Sequence, residues 1–222
     1  TDPVKRLSVS LVILGGLAHG LAAQGDVRAR LVGRVSPEVV QLVSSLADSA
    51  RGLGLPDAPL VDKALEGAAK AAAPERIAAA VQTVFGQLAA AARVMRSTGA
   101  TPGSQEIEAG AFALGAGLTV DDVAAVAQTA DGTHPAMAVL QVAGALAALG
   151  VPRAQTVGLV QSAVRSGLPL GDLTNLPAQV QAAAASGVPP AAAAAGLERA
   201  AEARAAPNPH SSSKAKTNPH KP

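Results

Sequence analysis

Histidines and paired carboxylates are the residues of this chain whose types and spacing can support acid–base or metal chemistry. His134 is the only histidine between residues 24 and 205, and Pro135 follows it directly. A catalytic histidine needs a nucleophile or an orienting acid held beside it. A histidine next to a proline at a predicted helix start is more typical of a turn, so we predict a turn role for His134.

Two pairs of acids are the next candidates, for proton transfer or for a hard cation. They are Asp121-Asp122 and the pair Glu106 and Glu108. Both pairs fall in predicted first helical turns, where the helix dipole favours negative charge. Thr119-Val-Asp-Asp122 also resembles the Ser/Thr-x-x-acid capping signature of a helix start, with Asp in place of the preferred Glu. Neighbouring residues of a helix also point in different directions. We therefore interpret these acids as solvated helix starts rather than as a site.

Other catalytic and ligand-binding signatures give little support. No Gly-x-Ser-x-Gly nucleophile motif occurs. The nearest resemblance to a phosphate-binding loop, Gly115-Ala-Gly117, lacks the lysine and is better interpreted as a helix C-terminus. His210 and His220 lie ten residues apart in a polar tail and do not form a clustered ligand set. The sequence predicts a non-enzymatic protein with no catalytic, cofactor-binding or metal-binding residues.

The composition predicts a thin core made of small side chains. The chain is 49% hydrophobic, but it has no Trp, Tyr or Cys and only two Phe, Phe85 and Phe112. Burying alanine gains little, because the hydrophobic effect scales with apolar area. The lack of cysteine excludes a disulfide framework and Cys-ligated metals.

The net charge of +2 conceals an uneven distribution. Residues 1–203 carry 14 basic and 16 acidic side chains, whereas residues 204–222 carry four basic side chains and no acid. A slightly acidic body with almost no aromatics argues against nucleic-acid binding. Lys214, Lys216 and Lys221 can contact an anionic surface, through an attraction that is weak and sensitive to salt.

A repeated layout is visible when positions are counted from Pro56, Pro102 and Pro152, which lie 46 and 50 residues apart. Equivalent positions hold β-branched, then small, then large apolar residues in all three units. Spacings of this size are typical of stacked helix pairs. We therefore predict an all-α fold of repeated helical hairpins, either an α-solenoid or a flat bundle. Its equivalent small positions, expected at helix crossings, are Gly67, Ala113 and Ala163.

The ends of the chain differ from this helical-repeat domain, predicted over residues 36–205. Residues 1–23 have a basic start, an apolar run and small residues, which is the order of a secretory signal peptide. A retained membrane anchor and a buried helix remain alternatives for this segment. A polar connector is expected over 24–35. Residues 206–222 form a basic low-complexity tail that we expect to be disordered in isolation.

Two functions follow as expectations. The first is an interaction protein, exported to the periplasm or anchored in the membrane, in one form an accessory subunit of a larger membrane or envelope assembly. The missing catalytic motifs and the N-terminal apolar run favour it. The alternative is a carrier of a small molecule or lipid, with an apolar pocket between the helices. Lys5 and Arg6 before the apolar run favour export of the body, whereas Arg28, Arg30 and Arg34 after it favour the reverse orientation.

Overall fold

The computed structural model describes residues 27–206, and within this range it is entirely helical, with eleven α-helices and no strand. The predicted all-α class is confirmed there. The expected signal or anchor segment (1–23) lies outside the described residues, as does the tail beyond Ala206. The helices are α1 Val27–Leu31, α2 Pro37–Gly52, α3 Ala58–Ala69, α4 Pro74–Ser97, α5 Ser104–Gly115, α6 Val120–Ala127, α7 Ala136–Ala148, α8 Arg153–Arg165, α9 Leu170–Thr174, α10 Leu176–Ala185 and α11 Pro190–Ala205.

Six helices of the described range end in the same kind of corner. The second residue after each helix has a positive φ, and the N–H of the following residue donates to the carbonyl five residues earlier, as from Leu168 to Ala163 at 3.1 Å. This is the Schellman pattern, which satisfies the last carbonyls of a helix. Three corners continue directly into a proline that is the N-cap of the next helix: Pro152, Pro169 and Pro189. The positive-φ residues are Gly54, Ala71, Gly117, Gly150, Gly167 and Gly187.

The structure does not confirm the repeated hairpin. The first predicted unit is a packed pair, α3 with α4. In the second unit, however, α5 packs mainly against α7 and α4, because α6 has only eight residues. In the third unit, the main partner of α8 is α11. The recurring feature is therefore the corner rather than the helix pair.

The core divides into two apolar clusters that meet at α5. We call α1–α4 the N-terminal half and α6–α11 the C-terminal half. Ile107 and Ala111 of α5 belong to the core of the first half, and Ala109 and Ala113 to that of the second. Small residues allow α5 to approach α4 closely: a Cβ added to Gly110 of α5 would lie 3.0 Å from the Cβ of Ala91 in α4.

The small positions expected at helix crossings have unequal surroundings. Ala113 and Ala163 are completely buried in the C-terminal half. Gly67 is only half-buried. A Cβ added there would lie 2.7 Å from the side chain of Ile77 in α4. All three residues therefore lie where helices approach each other, but only Ala113 and Ala163, which pack in the core of the C-terminal half, are completely buried.

Two local expectations have different outcomes. The polar connector predicted over 24–35 instead contains α1, and Val27 and Leu31 of this helix are buried. The helical spacing of these two apolar residues was not recognised, because the arginines between them make the segment polar overall. Pro177 predicts a bend or a delayed start in the helix expected from about Leu170 to Ala184. The structure confirms this, since α9 ends at Thr174 and α10 begins with Pro177 in its first turn.

Within residues 27–206, α4 is the one helix that is long and apolar enough to cross a membrane, by length and composition only. It has 24 residues and a mean hydropathy of 1.3. In the structure it packs against α2, α3 and α5 and contributes Leu88 and Ala91 to the core. A core helix meets the same two criteria, so α4 supports no statement about a membrane.

Candidate functional site: a groove between α3, α4 and α5

His134 is buried, and its ring joins two loops. Its Nε2 lies 2.7 Å from the carbonyl oxygen of Leu168, which can only accept, so Nε2 carries the proton. Nδ1 lies 3.1 Å from Oδ1 of Asp131 and 2.9 Å from Oγ1 of Thr133. The ring is only 3% exposed. It therefore connects the start of α7 to the corner after α8, as a structural cross-link that offers no nitrogen to a substrate.

Asp131 organises the loop around this histidine. Its Oδ1 accepts from the backbone N–H groups of Thr133 and His134, at 2.8 and 2.7 Å, and from the Thr133 hydroxyl at 2.7 Å. The hydroxyl and backbone donors of Thr133 lower the pKa of Asp131 to about 2, with a further contribution from His134. The carboxylate is thus a loop-forming acceptor, which explains the turn predicted at this position.

The paired acids have separate roles in the structure. Asp122 forms a capping box with Thr119: its carboxylate accepts from the Thr119 backbone at 2.8 Å, and the Thr119 hydroxyl accepts from the Asp122 backbone at 3.2 Å. Glu106 lines a small cavity beside Met95, whereas Glu108 lines a different groove. No group of three side chains suited to a metal occurs among residues 27–206.

The glycines that resemble a phosphate-binding loop form a helix end. Gly115 is the last residue of α5, and Gly117 has a φ of 104°. The N–H of Leu118 donates to the carbonyl of Ala113 at 3.1 Å, which closes a Schellman corner. The interpretation of this segment as a helix C-terminus is confirmed.

A groove with a volume of about 730 Å³ lies between α3 and α5, over α4. We call it the α3–α5 groove. Each helix lines it with residues at helical spacing, i, i+3, i+4 and i+7 on α3 and α5, so one face of each helix points into it. The lining residues are Pro59, Asp62, Lys63 and Glu66 of α3, Val84, Gln87 and Leu88 of α4, Glu108, Ala111, Phe112 and Gly115 of α5, and Ala116 and Ala148 at its end.

The α3 side of the groove is charged. Asp62 pairs with Arg30 of α1 at 2.9 Å, and Glu66 pairs with Lys63 at 2.7 Å and with Lys70. Hydrogen bonds from Lys63 and Lys70 lower the pKa of Glu66 to about 2, so it remains ionised at any physiological pH. The side chains of these pairs are 36–69% exposed to solvent, where such pairs form and exchange at little cost.

Phe112 provides the apolar surface on the α5 side. It is 48% exposed, although it is one of only two aromatic residues in the chain. Its ring lies against Gly144 of α7, where an added Cβ would come within 2.5 Å of a ring carbon. The absence of a side chain at Gly144 thus lets the ring rest on α7, while about half of the residue stays exposed and contributes to the groove lining.

No sequence pattern predicted this groove. Phe112 stands out in the sequence only as one of two aromatic residues, and the neighbouring Ala113 is expected at a helix crossing. Successive residues of an α-helix point about 100° apart, so a buried Ala113 leaves Phe112 pointing away from that crossing. This was the available signal, but the packing of α3 and α5 on either side of α4 could not be derived from it.

Comparisons with known proteins add no further constraint. No family model, no curated protein and no solved structure matches this chain. The groove is therefore interpreted from its own residues.

Proposed function

We propose that the protein is a non-enzymatic interaction protein, exported or membrane-anchored, that binds a segment of a protein partner in the α3–α5 groove. In one form of this proposal it is an accessory subunit of a larger membrane or envelope assembly. The observation that carries the proposal is the half-exposed Phe112 beside the buried groove residues Leu88 and Ala111.

The composition of the groove is that of an interaction surface. Aromatic residues contribute large contact areas and are enriched among the residues that dominate binding energy. Here Phe112 shares the groove lining with polar and charged groups from Lys63, Glu66 and Gln87. An apolar centre with a polar rim is the usual anatomy of a protein–protein interface. The 12 residues of α3 and of α5 each span about 18 Å, a length suited to a short peptide segment or one helix face.

The carrier alternative receives less support from the described cavities. Pockets that enclose small ligands usually measure about 300–1,000 Å³ and bury most of the ligand. The cavity between α8, α10 and α11 measures only about 190 Å³. The larger spaces are walled by exposed side chains: Phe112 in the α3–α5 groove, Val32 in a space of about 550 Å³ beside α1 and α2, and Glu202 in one of about 320 Å³ beside α8. The carrier function therefore stays a sequence prediction.

Export rests on the N-terminal sequence alone, and a protease experiment tests it. Protease added to intact spheroplasts should degrade the body of an exported or outward-facing protein. A body that stays protected until the cells are lysed would place the protein on the inner side of the membrane. This test of localisation does not depend on whether the α3–α5 groove binds a partner.

Partner binding is tested by capture from the native membrane fraction with two matched variants. Phe112→Ala and Leu170→Ala each remove an exposed apolar side chain, 48% and 38% exposed, but only the first lines the groove. We expect one defined partner with the wild type and Leu170→Ala, and at least tenfold less of it with Phe112→Ala. Equal recovery by all three proteins would contradict the proposal. Thermal denaturation of each variant controls for folding.

A further inference from the structure

We infer that the basic tail (206–222) of the same chain folds back and occupies the α3–α5 groove when no partner is bound. The inference rests on the proposed function, because it makes the tail a competitor for the partner's binding surface. The ligand in this inference is a proline- and lysine-containing segment of the same chain, and it contacts the half-exposed ring of Phe112.

The place where the described chain ends makes this contact possible. Ala205 and Ala206 line a small cavity with Ser162 and Arg165, so the tail starts beside the C-terminal end of α8. The other end of α8 follows Ala148, which lines the groove. The 13 residues of α8 span about 20 Å.

The tail is long enough to cover this distance. In an extended polyproline conformation of about 3.1 Å per residue, Lys214 can lie roughly 25 Å from Ala206, and Pro222 roughly 50 Å. The segment from Lys214 to Pro222 therefore reaches the groove with length to spare. A tethered segment of this kind has an effective concentration on the order of millimolar, so a weak contact is sufficient to keep it bound.

The chemistry of the tail matches that of the groove. In a polyproline conformation, prolines three residues apart lie on the same edge, and Pro219 and Pro222 have this spacing. Proline edges pack against exposed aromatic rings, and Phe112 offers such a ring. The tail also carries three lysines and no acid, and the groove lining presents exposed carboxylates on Asp62, Glu66 and Glu108. The two carboxylates on α3 already pair with Arg30, Lys63 and Lys70, but exposed pairs exchange at little cost, so a tail lysine can replace one of these partners.

The experiment uses the full chain, which contains no cysteine, so that only engineered thiols react. One variant carries Ala116→Cys in the groove with Thr217→Cys in the tail. The control carries Leu170→Cys with Thr217→Cys. Leu170 is 38% exposed and lies five residues after Arg165, close to where the tail begins. A tail that does not dock would meet position 170 more often than the groove. Ala148→Cys replaces Ala116→Cys if the latter perturbs folding.

We expect the groove pair to react with a short bis-maleimide within one chain at least fivefold faster than the control pair. Adding Phe112→Ala should reduce the rate to that of the control. A groove pair that reacts no faster than the control, or one insensitive to Phe112→Ala, would overturn the inference. A product that runs as a dimer would also overturn it, because the tail would then bind a second copy.

This measurement is made on the purified chain without a partner. Its failure would leave the binding of a partner in the groove untouched. Conversely, cross-linking that succeeds while the capture experiment fails would show a groove that binds only its own tail. The two proposals are thus tested separately.

Discussion

The two halves of the molecule use a similar hydrogen bond in different surroundings. In the C-terminal half, the buried His134 donates from Nε2 to the carbonyl of Leu168, at the corner between α8 and α9. In the N-terminal half, the exposed Arg96 donates from Nη2 to the carbonyl of Leu53, at the end of α2, over 3.1 Å. The hydrogen bond of His134 is shielded from water, whereas water can replace the hydrogen bond of Arg96. A hydrogen bond shielded from water is costly to break, because its acceptor cannot pair with solvent instead.

The same contrast is seen in the spaces between helices. In the C-terminal half, α8 packs closely on α11, and Gly158 of α8 leaves room for the carboxylate of Glu198, which an added Cβ would overlap. At the border of the N-terminal half, α3 and α5 both pack on the long α4 and leave the α3–α5 groove between them. The C-terminal half is therefore closed, whereas the border between the N-terminal half and α5 is open, and our proposal places the binding surface there. The predictions below test this division.

The largest expected difference is between the two corner hydrogen bonds. His134→Ala leaves the carbonyl of Leu168 unpaired and opens a cavity, and should lower the free energy of unfolding by about 2–4 kcal/mol. Arg96→Ala should lower it by less than about 1 kcal/mol, because water replaces the exposed donor. Urea denaturation of both variants measures the difference. Similar losses would contradict the contrast between the halves.

The next effect concerns the packing where α5 meets the C-terminal half. Ala113 is completely buried, and its Cα lies 3.2 Å from the position of a Cβ added to Gly144. Ala113→Leu should therefore destabilise the fold by about 1–3 kcal/mol through overpacking. Gly67→Ala in the N-terminal half should cost less, because the side chain of Ile77 can shift. A neutral Ala113→Leu variant in thermal denaturation would show that this contact is not tight.

Two helix corners provide a reciprocal pair of substitutions. Ala71 in the N-terminal half has a φ of 51°, whereas Gly167 in the C-terminal half has a φ of 66°. A left-handed conformation strains alanine but not glycine. Ala71→Gly should stabilise the protein by about 1 kcal/mol, and Gly167→Ala should destabilise it by a similar amount. Denaturation curves in which Ala71→Gly lowers stability would contradict the corner geometry.

The smallest effect is the pH dependence of two carboxylates, one in each half. The folded pKa values of Asp131 and Glu66 are lowered to about 2, so each carboxylate stabilises the fold above its unfolded pKa of about 4. This contribution is lost as the pH falls from about 4 to about 2. Asp131→Asn and Glu66→Gln should each flatten the decrease in stability over that range. An unchanged pH profile in both variants would contradict these assignments.

Sequence reasoning predicted local features that depend on neighbouring residues. The all-α class, the capping box at Thr119, the helix end at Gly117 and the break at Pro177 all follow from capping and turn preferences. These preferences act within a few residues, so they can be read directly from the sequence.

What the sequence could not provide is the choice of helix partners. Counting from prolines implied that α5 pairs with α6, yet α5 packs mainly on α7 and α4. Alanine and glycine faces fit many neighbours, since small side chains provide little shape to select one. The same ambiguity concealed the groove, because it arises from the positions of three helices rather than from any motif.

The central claim is that the α3–α5 groove binds a partner in the cell, and photo-cross-linking tests it most directly. A photoreactive amino acid is introduced in place of Ala116 in the groove or, as the control, in place of Leu170 on α9. We predict that irradiation of intact cells links the groove position to one protein, giving a discrete product of higher mass that is absent at position 170. The same product at both positions, or no product at the groove position, would contradict the account.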